Sequence, residues 1–308
     1  MKKLVALTLA AVMTVSVLTA CGSKETAGSS TPAEGTEADA SKEGQDVSKE
    51  EAEPEAQEPA KEEEQASDTE GTENAGEGSV SEALADGVLT VGTNAEFPPF
   101  EYVDDNGEPD GFDIALIKAI GEKLGVEVKV ENMEFDALVA SIGSKIDVAI
   151  AGMTVTEERQ ATVDFSDSYY DALQYVIIPE GAEIATAEDL VGKTIGVQLG
   201  TTGDFIATDD IEGTTVSQYN KAVDAVNDLI NGRVDCVIID KNPALVFESK
   251  FEGQIKALDG AQFDFGVENY AIALPKGDAD LAEQINTALK DIKADGTFDE
   301  LVKTYIEN

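Results

Sequence analysis

From residue 83 onward, apolar and polar residues follow a pattern that predicts strands and helices in turn. Short β-branched runs predict strands at residues 88–93, 126–130, 147–151, 175–178, 194–197, 215–217, 236–239 and 271–274. Apolar residues at helical spacing predict helices at 113–124, 221–231 and 280–294, and Gly296 is placed to end the last one. This alternation is typical of an α/β fold with largely parallel sheets covered on both faces.

Two segments of the chain resemble each other, residues 145–151 and 233–239. Each follows a predicted helix that ends near a glycine, Gly143 or Gly232. The repetition predicts two similar lobes whose strand ends face one cleft, which is where open α/β sheets bind ligands. Chance similarity between apolar strands is the alternative explanation.

The start of the chain has the organisation of an export signal. Lys2 and Lys3 precede a short apolar run at residues 4–18, whereas a membrane-spanning helix needs roughly 20 residues. The ending Leu18-Thr19-Ala20-Cys21 resembles the bacterial lipoprotein box. This resemblance implies cleavage before Cys21 and a diacylglyceryl chain on its sulfur. The alternative is an ordinary secreted protein with an incidental cysteine.

Residues 22–82 differ from the rest of the chain in composition. They contain 19 acidic residues and four Lys, a net charge of −15, and Val47 and Val80 are their only large apolar side chains. Such a segment buries too little apolar surface to offset the entropy lost on ordering. We therefore expect a disordered tether here.

Composition excludes several classes of function. The 308 residues include 63 Asp or Glu against 21 Lys or Arg, a formal net charge of −42 that disfavours a nucleic-acid partner. The chain has no His, which excludes Ser-His-Asp, Cys-His and imidazole–metal sites, and no metal or cofactor is predicted. Cys236 is the one cysteine of residues 83–308, and its apolar surroundings predict a packed core thiol.

The chain has two arginines, Arg159 and Arg233, so few side chains can hold an anion with two parallel hydrogen bonds. Arg159 follows a predicted strand, after Gly152, Thr154 and a potential helix-capping residue, Thr156. A guanidinium, a hydroxyl and the free N–H groups of a helix start together suit a carboxylate. The alternative places Arg159 in a surface ion pair with a nearby carboxylate, that of Glu158, Asp164 or Asp167.

Other candidate residues also lie in loops that follow predicted strands. Thr201 and Thr202 lie in a glycine-rich turn that lacks the Gly-Lys-Ser/Thr ending of a phosphate loop. Asp240 follows an apolar strand and either receives an ammonium group or caps the next helix. Phe97 and Phe135 either clamp a small ligand or pack in the core.

These segments together resemble the polar amino-acid solute-binding proteins of ABC transporters, in the same order and over essentially all of residues 84–308. The segments that carry the resemblance are NAEFPPFEY (94–102), GFDI (111–114), GMTVTEER (152–159), DFSDSYY (164–170), GVQLGTTG (196–203) and ADGTF (294–298). The resemblance implies a two-lobe periplasmic-binding-protein fold of type II within residues 83–308, with crossovers near 170–173 and 266–270. Lobe one is then expected at 84–170 plus 270–308 and lobe two at 174–265, behind a signal peptide at 1–20 and a lipidated linker at 21–82.

Carried over by position, the resemblance implies roles for individual residues. Arg159 is expected to hold the α-carboxylate of an amino acid, and Asp240 its α-ammonium group. The other implied contacts are Thr154, Thr201 and Thr202 at the carboxylate, the Gly152 carbonyl at the ammonium, Phe97 and Phe135 on either side of the ligand, and Asn94 and Gln198 at its side chain. Two neutral amides favour a glutamine-like ligand. The nearby Glu96 keeps a basic ligand open, and cystine is a further alternative.

The resemblance also implies a function, the extracytoplasmic substrate-binding component of an ABC importer. Such a protein is a monomer that binds its amino acid by hinge closure, without a cofactor and without turnover. The expected partners are a permease and ATPase complex and, through the lipid on Cys21, the outer face of the bacterial cell membrane. Two alternatives stay open: an amino-acid-sensing ectodomain that reports to another subunit, and a dehydratase on the same fold.

Overall fold

The computed structural model of the protein describes residues 81–307. The predicted signal peptide, Cys21 and all but the last two residues of the predicted linker lie outside this part of the chain. The strands are β1 (Val88–Thr93), β2 (Glu96–Phe97), β3 (Glu101–Val103), β4 (Pro109–Asp110), β5 (Glu127–Asn132), β6 (Val148–Ala149), β7 (Val163–Phe165), β8 (Tyr170–Pro179), β9 (Thr194–Gln198), β10 (Thr215–Tyr219), β11 (Cys236–Asp240), β12 (Ile255–Asp259), β13 (Val267–Tyr270) and β14 (Ala273–Pro275). The helices are α1 (Phe112–Leu124), α2 (Phe135–Ser141), α3 (Glu157–Gln160), α4 (Ala187–Leu190), α5 (Thr202–Phe205), α6 (Ala222–Ile230), α7 (Lys241–Lys250), α8 (Ala279–Asp295) and α9 (Thr297–Leu301). Each strand and helix predicted from the sequence overlaps an observed one.

Five strands form one sheet in the order β5-β1-β6-β14-β7, and the part of the molecule built around it is called lobe one. Helix α1 packs against β5 and α8 on this sheet. It forms because Ile114, Ile117 and Ile120 recur at helical spacing and are completely buried. Gly125 then ends the helix in the left-handed conformation, with φ of 73°. The predicted helix is thereby confirmed.

A second sheet has the order β10-β9-β11-β8-β12, and the part built around it is called lobe two. Strand β9 runs parallel to β10 and β11, whereas β8 runs antiparallel to β11 and β12. In lobe one, β14 is likewise antiparallel to β6 and β7. The prediction of largely parallel sheets is therefore wrong in part. An apolar run such as residues 175–178 indicates a strand buried on both faces, but it does not encode the direction of that strand.

The chain passes between the lobes twice, and the two passages are hydrogen bonded to each other. Residues 170–173 of β8 run antiparallel to β13, with Val267 opposite Leu173 and Tyr270 opposite Tyr170. This ladder confirms the two predicted crossovers. It also places residues of β8 and β13 beside the space between the two sheets.

Three smaller features complete the fold. Strands β2, β3 and β4 form a small antiparallel sheet between β1 and α1 that the sequence analysis missed. Cys236 is completely buried, and burial raises the pKa of its thiol to about 12, which confirms a packed core thiol. Within residues 81–307, no helix is both long enough and apolar enough to cross a membrane.

Candidate functional site

Arg159 lies in the short helix α3, in the turn that follows β6. Thr156 caps this helix as predicted, because its hydroxyl accepts the N–H of Arg159 at 3.2 Å. The side chain is 6% exposed, and burial lowers the pKa of the guanidinium to about 10. Nη1 donates to the carbonyl of Thr154 at 2.6 Å, and Nη2 donates across the cleft to the carbonyl of Gly200 at 2.9 Å. Arg159 is thus a buried residue at the lobe boundary and not part of a surface ion pair.

Glu268 on β13, which the sequence analysis did not single out, reaches the same region. Its Oε2 accepts hydrogen bonds from Thr154 Oγ1 of lobe one at 2.6 Å and Thr202 Oγ1 of lobe two at 2.8 Å. Gln174 Nε2 donates to the same oxygen at 3.3 Å. The negative charge of Glu268 opposes the effect of burial on the pKa of Arg159. Glu268 therefore lies between the two lobes and close to the buried guanidinium.

Asp240 ends β11 in lobe two and is 7% exposed. It precedes α7, but its side chain makes no capping hydrogen bond to that helix, so the capping interpretation is wrong. Its Oδ1 accepts the hydroxyl of Tyr270 at 2.5 Å. Burial, followed by the charge of Glu268, raises the pKa of Asp240 to about 7. A buried carboxyl with this pKa gains strongly from a cationic partner.

The backbone at Gly152 passes close to aromatic rings. A Cβ atom here would lie 2.9 Å from the Phe97 ring and 3.3 Å from the Tyr270 ring, and φ is 52°, so glycine is required. The N–H of Gly152 donates to Asp113 Oδ2 at 2.7 Å, and the same oxygen accepts the hydroxyl of Tyr169 at 2.7 Å. The turn that carries Gly152 is thus packed closely against Phe97 and hydrogen bonded to Asp113.

The two amides predicted to face the ligand side chain meet across the cleft. Gln198 Nε2 donates to Asn94 Oδ1 at 2.9 Å and to the carbonyl of Asn220 at 3.1 Å. Asn94 and Gln198 are only 4% and 5% exposed. Next to them, Lys221 of lobe two and Glu96 of lobe one form a salt bridge of 2.5 Å. Glu96 is therefore already paired with a cation of the chain itself.

Two further predicted residues contact their neighbours in specific ways. The half-buried Phe135 places its ring centroid 5.4 Å from the guanidinium carbon of Arg159, at cation–π distance. The hydroxyl of Thr201 accepts the N–H of Asp204 at 3.3 Å and donates to the carbonyl of Gln198 at 2.8 Å. Thr201 therefore fixes its own turn, while the hydroxyl of Thr202 extends toward Glu268.

Glu268, Gln174 and Asp113 are polar residues of this region that were not singled out from the sequence. Glu268 lies in a predicted crossover, two residues before Tyr270, and alternate residues of a strand point to the same side. That spacing was an available signal for Glu268. Gln174 is a completely buried polar residue next to an apolar run, and Asp113 belongs to the segment 111–114 quoted above.

Residues 89–308 match the family model described as bacterial extracellular solute-binding proteins, family 3. The chain belongs to this family. Family membership confirms the resemblance found in the sequence, and a solute-binding role follows from it. The family is extracellular by its description, and the relatives reported below are named as binding proteins.

Relatives and solved structures extend this finding. The chain is 32% identical over 234 residues to the L-cystine-binding protein TcyJ of Escherichia coli (strain K12), covering 75% of this chain and 87% of that protein. It is 34% identical over 236 residues to the L-arginine-binding protein of Pseudomonas aeruginosa, covering 74% of this chain and 91% of that protein. The structure of an ancestral arginine-binding protein bound to glutamine matches with a TM-score of 0.68 and 42% identity, over 72% of this chain and 99% of that one. The two-lobe solute-binding fold predicted from the sequence is confirmed.

Proposed function

We propose that the protein binds a free polar L-amino acid between its two lobes and delivers it to an ABC permease on the extracytoplasmic side of the cell membrane. The observation that carries this proposal is the pair of Arg159 from lobe one and Asp240 from lobe two, both buried at the lobe boundary. An amino-acid zwitterion supplies a carboxylate to the first and an ammonium to the second. A ligand with only one of these charges would leave the other buried group without its partner.

Around this pair, the contacts support distinct roles for the neighbouring residues. The carbonyl of Gly152 joins Asp240 at the ammonium, and Thr201 holds the turn that presents Thr202. Because a hydroxyl hydrogen rotates, Thr154 and Thr202 can donate either to Glu268 or to the ligand carboxylate. Phe97 and Phe135 close the site on the sides of Gly152 and Arg159.

The proposal extends to a neutral, glutamine-like side chain for the ligand. Asn94 and Gln198 offer amide donors and acceptors without a fixed charge. Glu96, a nearby acid that would attract a cation, is already paired with Lys221. A basic side chain therefore has to displace Lys221 before it gains the charge of Glu96. Basic amino acids and cystine are the competing ligands, because relatives carry names for arginine and cystine binding.

Calorimetry and thermal-shift measurements with the twenty amino acids and cystine test both the binding of an amino acid and the preference for a glutamine-like side chain. We expect a micromolar or tighter dissociation constant for glutamine, which corresponds to about −8 kcal/mol or more negative. If no compound gives heat or stabilisation, the amino-acid assignment is wrong. A preference for arginine or cystine contradicts only the glutamine-like side chain. Tight binding of aspartate or glutamate contradicts the roles of Asn94 and Gln198.

Hinge closure is the proposed mechanism. Arg159 and Asp240 come from different lobes, so a ligand that bridges them binds a closed arrangement better than an open one. Direct bonds between the lobes, from Arg159 to Gly200 and from Gln198 to Asn94, support such an arrangement. The β8–β13 ladder is the natural hinge. Small-angle scattering should give a smaller radius of gyration with saturating ligand. An unchanged radius together with proven binding contradicts closure and leaves the ligand assignment intact.

The proposals of a lipid anchor and of a role in transport are supported by the sequence and by family membership. Cys21 is the proposed lipid attachment site, and the acidic residues after it are the proposed tether to the membrane. Metabolic labelling with a fatty acid should mark the wild-type protein and the control Cys236→Ala, but not Cys21→Ala. Label that persists in Cys21→Ala contradicts the anchor. Uptake of labelled ligand by cells with and without this protein tests the permease partnership.

A further inference from the structure

Two buried carboxyl groups in lobe one take no direct part in the proposed ligand contacts. Glu101 on β3 and Asp113 at the start of α1 are both completely buried. The backbone N–H of Asp113 donates to the carbonyl of Phe100, the residue before Glu101, at 2.9 Å. The two acids therefore lie on adjacent backbone segments, and each affects the pKa of the other. Asp113 also accepts the N–H of Gly152, so the pair is one hydrogen bond away from the proposed ligand site.

Hydrogen-bond donors are distributed unequally over the pair. Asp113 Oδ2 accepts two hydrogen bonds, from Gly152 N–H and from the hydroxyl of Tyr169, each of 2.7 Å. By contrast, Asp113 Oδ1 and both carboxyl oxygens of Glu101 have no donor among residues 81–307. Two ionised carboxylates cannot satisfy each other, and a buried acceptor without a donor is costly. A single proton on Glu101 supplies the missing donor to Asp113 Oδ1.

We propose that Glu101 and Asp113 form a carboxylic acid–carboxylate pair, in which Glu101 keeps the proton and donates it to Asp113, and that this pair positions the Gly152 turn. The location of the proton follows from the donors. Asp113 is the better-stabilised anion because two other groups already donate to it, whereas Glu101 has none. Glu101 is therefore a positioning residue that acts through Asp113 and does not touch the ligand.

The charged and titratable groups around the pair favour the same state. Burial is the largest cause that raises the pKa of Glu101 well above its ordinary value, and the charges of Asp113 and Asp240 add to it. For Asp113, burial raises the pKa to about 7, while the bonds from Gly152, Tyr169 and Glu101 oppose that rise. The pKa of Tyr169 is itself raised by burial and by these acids, so its hydroxyl remains a neutral donor.

A direct test uses the wild-type protein, labelled with ¹³C at the side-chain carboxyl of Glu. At pH 7 we expect one Glu resonance to keep the chemical shift of a protonated acid. The variant Glu101→Gln should lack this resonance, whereas Glu300→Gln, which changes an exposed residue, should retain it. If every Glu carboxyl is ionised at pH 7, the proposal is overturned. The wild-type spectrum alone can overturn the proposal, and it requires no ligand, so the test is independent of the proposed function.

The pH dependence of unfolding gives a second readout. In the folded state Glu101 keeps its proton above the pH at which an unfolded Glu loses it, about 4.3. The stability that this proton contributes is therefore complete below that pH and is lost as the pH rises. Between about pH 4.3 and the pKa of Glu101 in the folded protein, the unfolding equilibrium constant of the wild type should increase up to tenfold per pH unit relative to that of Glu101→Gln. Parallel pH profiles for the two proteins overturn the proposal.

The positioning of Gly152 is tested by amide hydrogen exchange. Glu101→Gln keeps a donor to Asp113, so protection of the Gly152 N–H should persist. Glu101→Leu removes the donor, and exchange at Gly152 should become at least tenfold faster than in Glu101→Gln. Equal exchange in the two variants contradicts the positioning role. If Glu101→Leu does not fold, the proposal is decided by the carboxyl resonance and by the pH profiles of the wild type and Glu101→Gln.

Discussion

The substitution Arg159→Lys retains the positive charge and removes the geometry of the guanidinium. Arg159 is 6% exposed and donates from two nitrogens to two carbonyls on different lobes, at 2.6 Å and 2.9 Å. Its guanidinium carbon also lies 5.4 Å from the centre of the Phe135 ring. A lysine ammonium is a single point charge, so it cannot contact both carbonyls and a ligand carboxylate together.

The size of the effect follows from these contacts. A hydrogen bond to a charged group contributes about 1.5–3 kcal/mol, and a cation–π contact contributes about 0.5–2 kcal/mol. Losing one of each destabilises the protein by about 2–5 kcal/mol. Removing one partner of a buried charged contact weakens binding by a similar amount, roughly 2–5 kcal/mol. Since 1.4 kcal/mol is a factor of ten, the dissociation constant should rise about 30- to 4,000-fold.

Calorimetry measures the loss of affinity, and urea unfolding measures the loss of stability. Arg233→Lys is the matched control, because Arg233 is the other arginine of the chain and its side chain is 68% exposed beside Asp228. A surface pair of this kind contributes about 0–1 kcal/mol, so the control should change little. Unchanged affinity in Arg159→Lys, or equal losses in the two variants, would refute the reasoning.

Three further predictions concern neighbouring residues. Burial raises the pKa of Asp240 to about 7, so the folded protein without ligand keeps a proton there between about pH 4 and 7, whereas the unfolded chain has lost it. This proton stabilises the fold, and its contribution disappears as the pH rises through about 7. A ligand ammonium favours the carboxylate, so binding at pH 6 should release protons, detected by calorimetry in buffers of different ionisation enthalpy; Asp240→Asn should bind weakly and release none. Lys221→Gln should raise the affinity for arginine relative to glutamine about tenfold in competition assays, because Glu96 becomes free to pair with a basic side chain; tenfold corresponds to roughly 1.4 kcal/mol. The control Lys256→Gln should leave this ratio unchanged. Gly152→Ala should lower the unfolding free energy by about 1–3 kcal/mol in urea titrations, because its Cβ would press on Phe97; an unchanged value would show that the turn can relax.

Residues whose environment is set by local sequence were predictable. The spacing of Ile114, Ile117 and Ile120 predicted α1, because a helical period puts them on one buried face. Arg159 and Asp240 were singled out because each comes after a run of apolar residues that forms a strand; both are buried, and their contact with a ligand stays a prediction. The direction of β8 was not predictable, since its apolar run is equally compatible with a parallel or an antiparallel neighbour.

Contacts between residues distant in the chain could not be predicted, although the strand spacing gave a signal for Glu268 itself. Glu268 and Gln174 are 94 residues apart and meet only because β13 pairs with β8. Glu101 and Asp113 are acids, and acids are exposed by default, so nothing in the sequence marks their complete burial. The partners of these residues are set by tertiary packing, which period and composition do not encode.

The ladder between β8 and β13 also limits how the length of the chain can vary. Because side chains alternate along a strand, inserting one residue in β13 ahead of Glu268 would turn Glu268 and Tyr270 to the opposite face. Thr154 and Thr202 would then lose their shared acceptor, and Asp240 would lose the Tyr270 hydroxyl. Insertions and deletions should therefore be tolerated in the surface turns of both lobes, whereas a change in the length of either connection should disturb the pairing of β8 with β13.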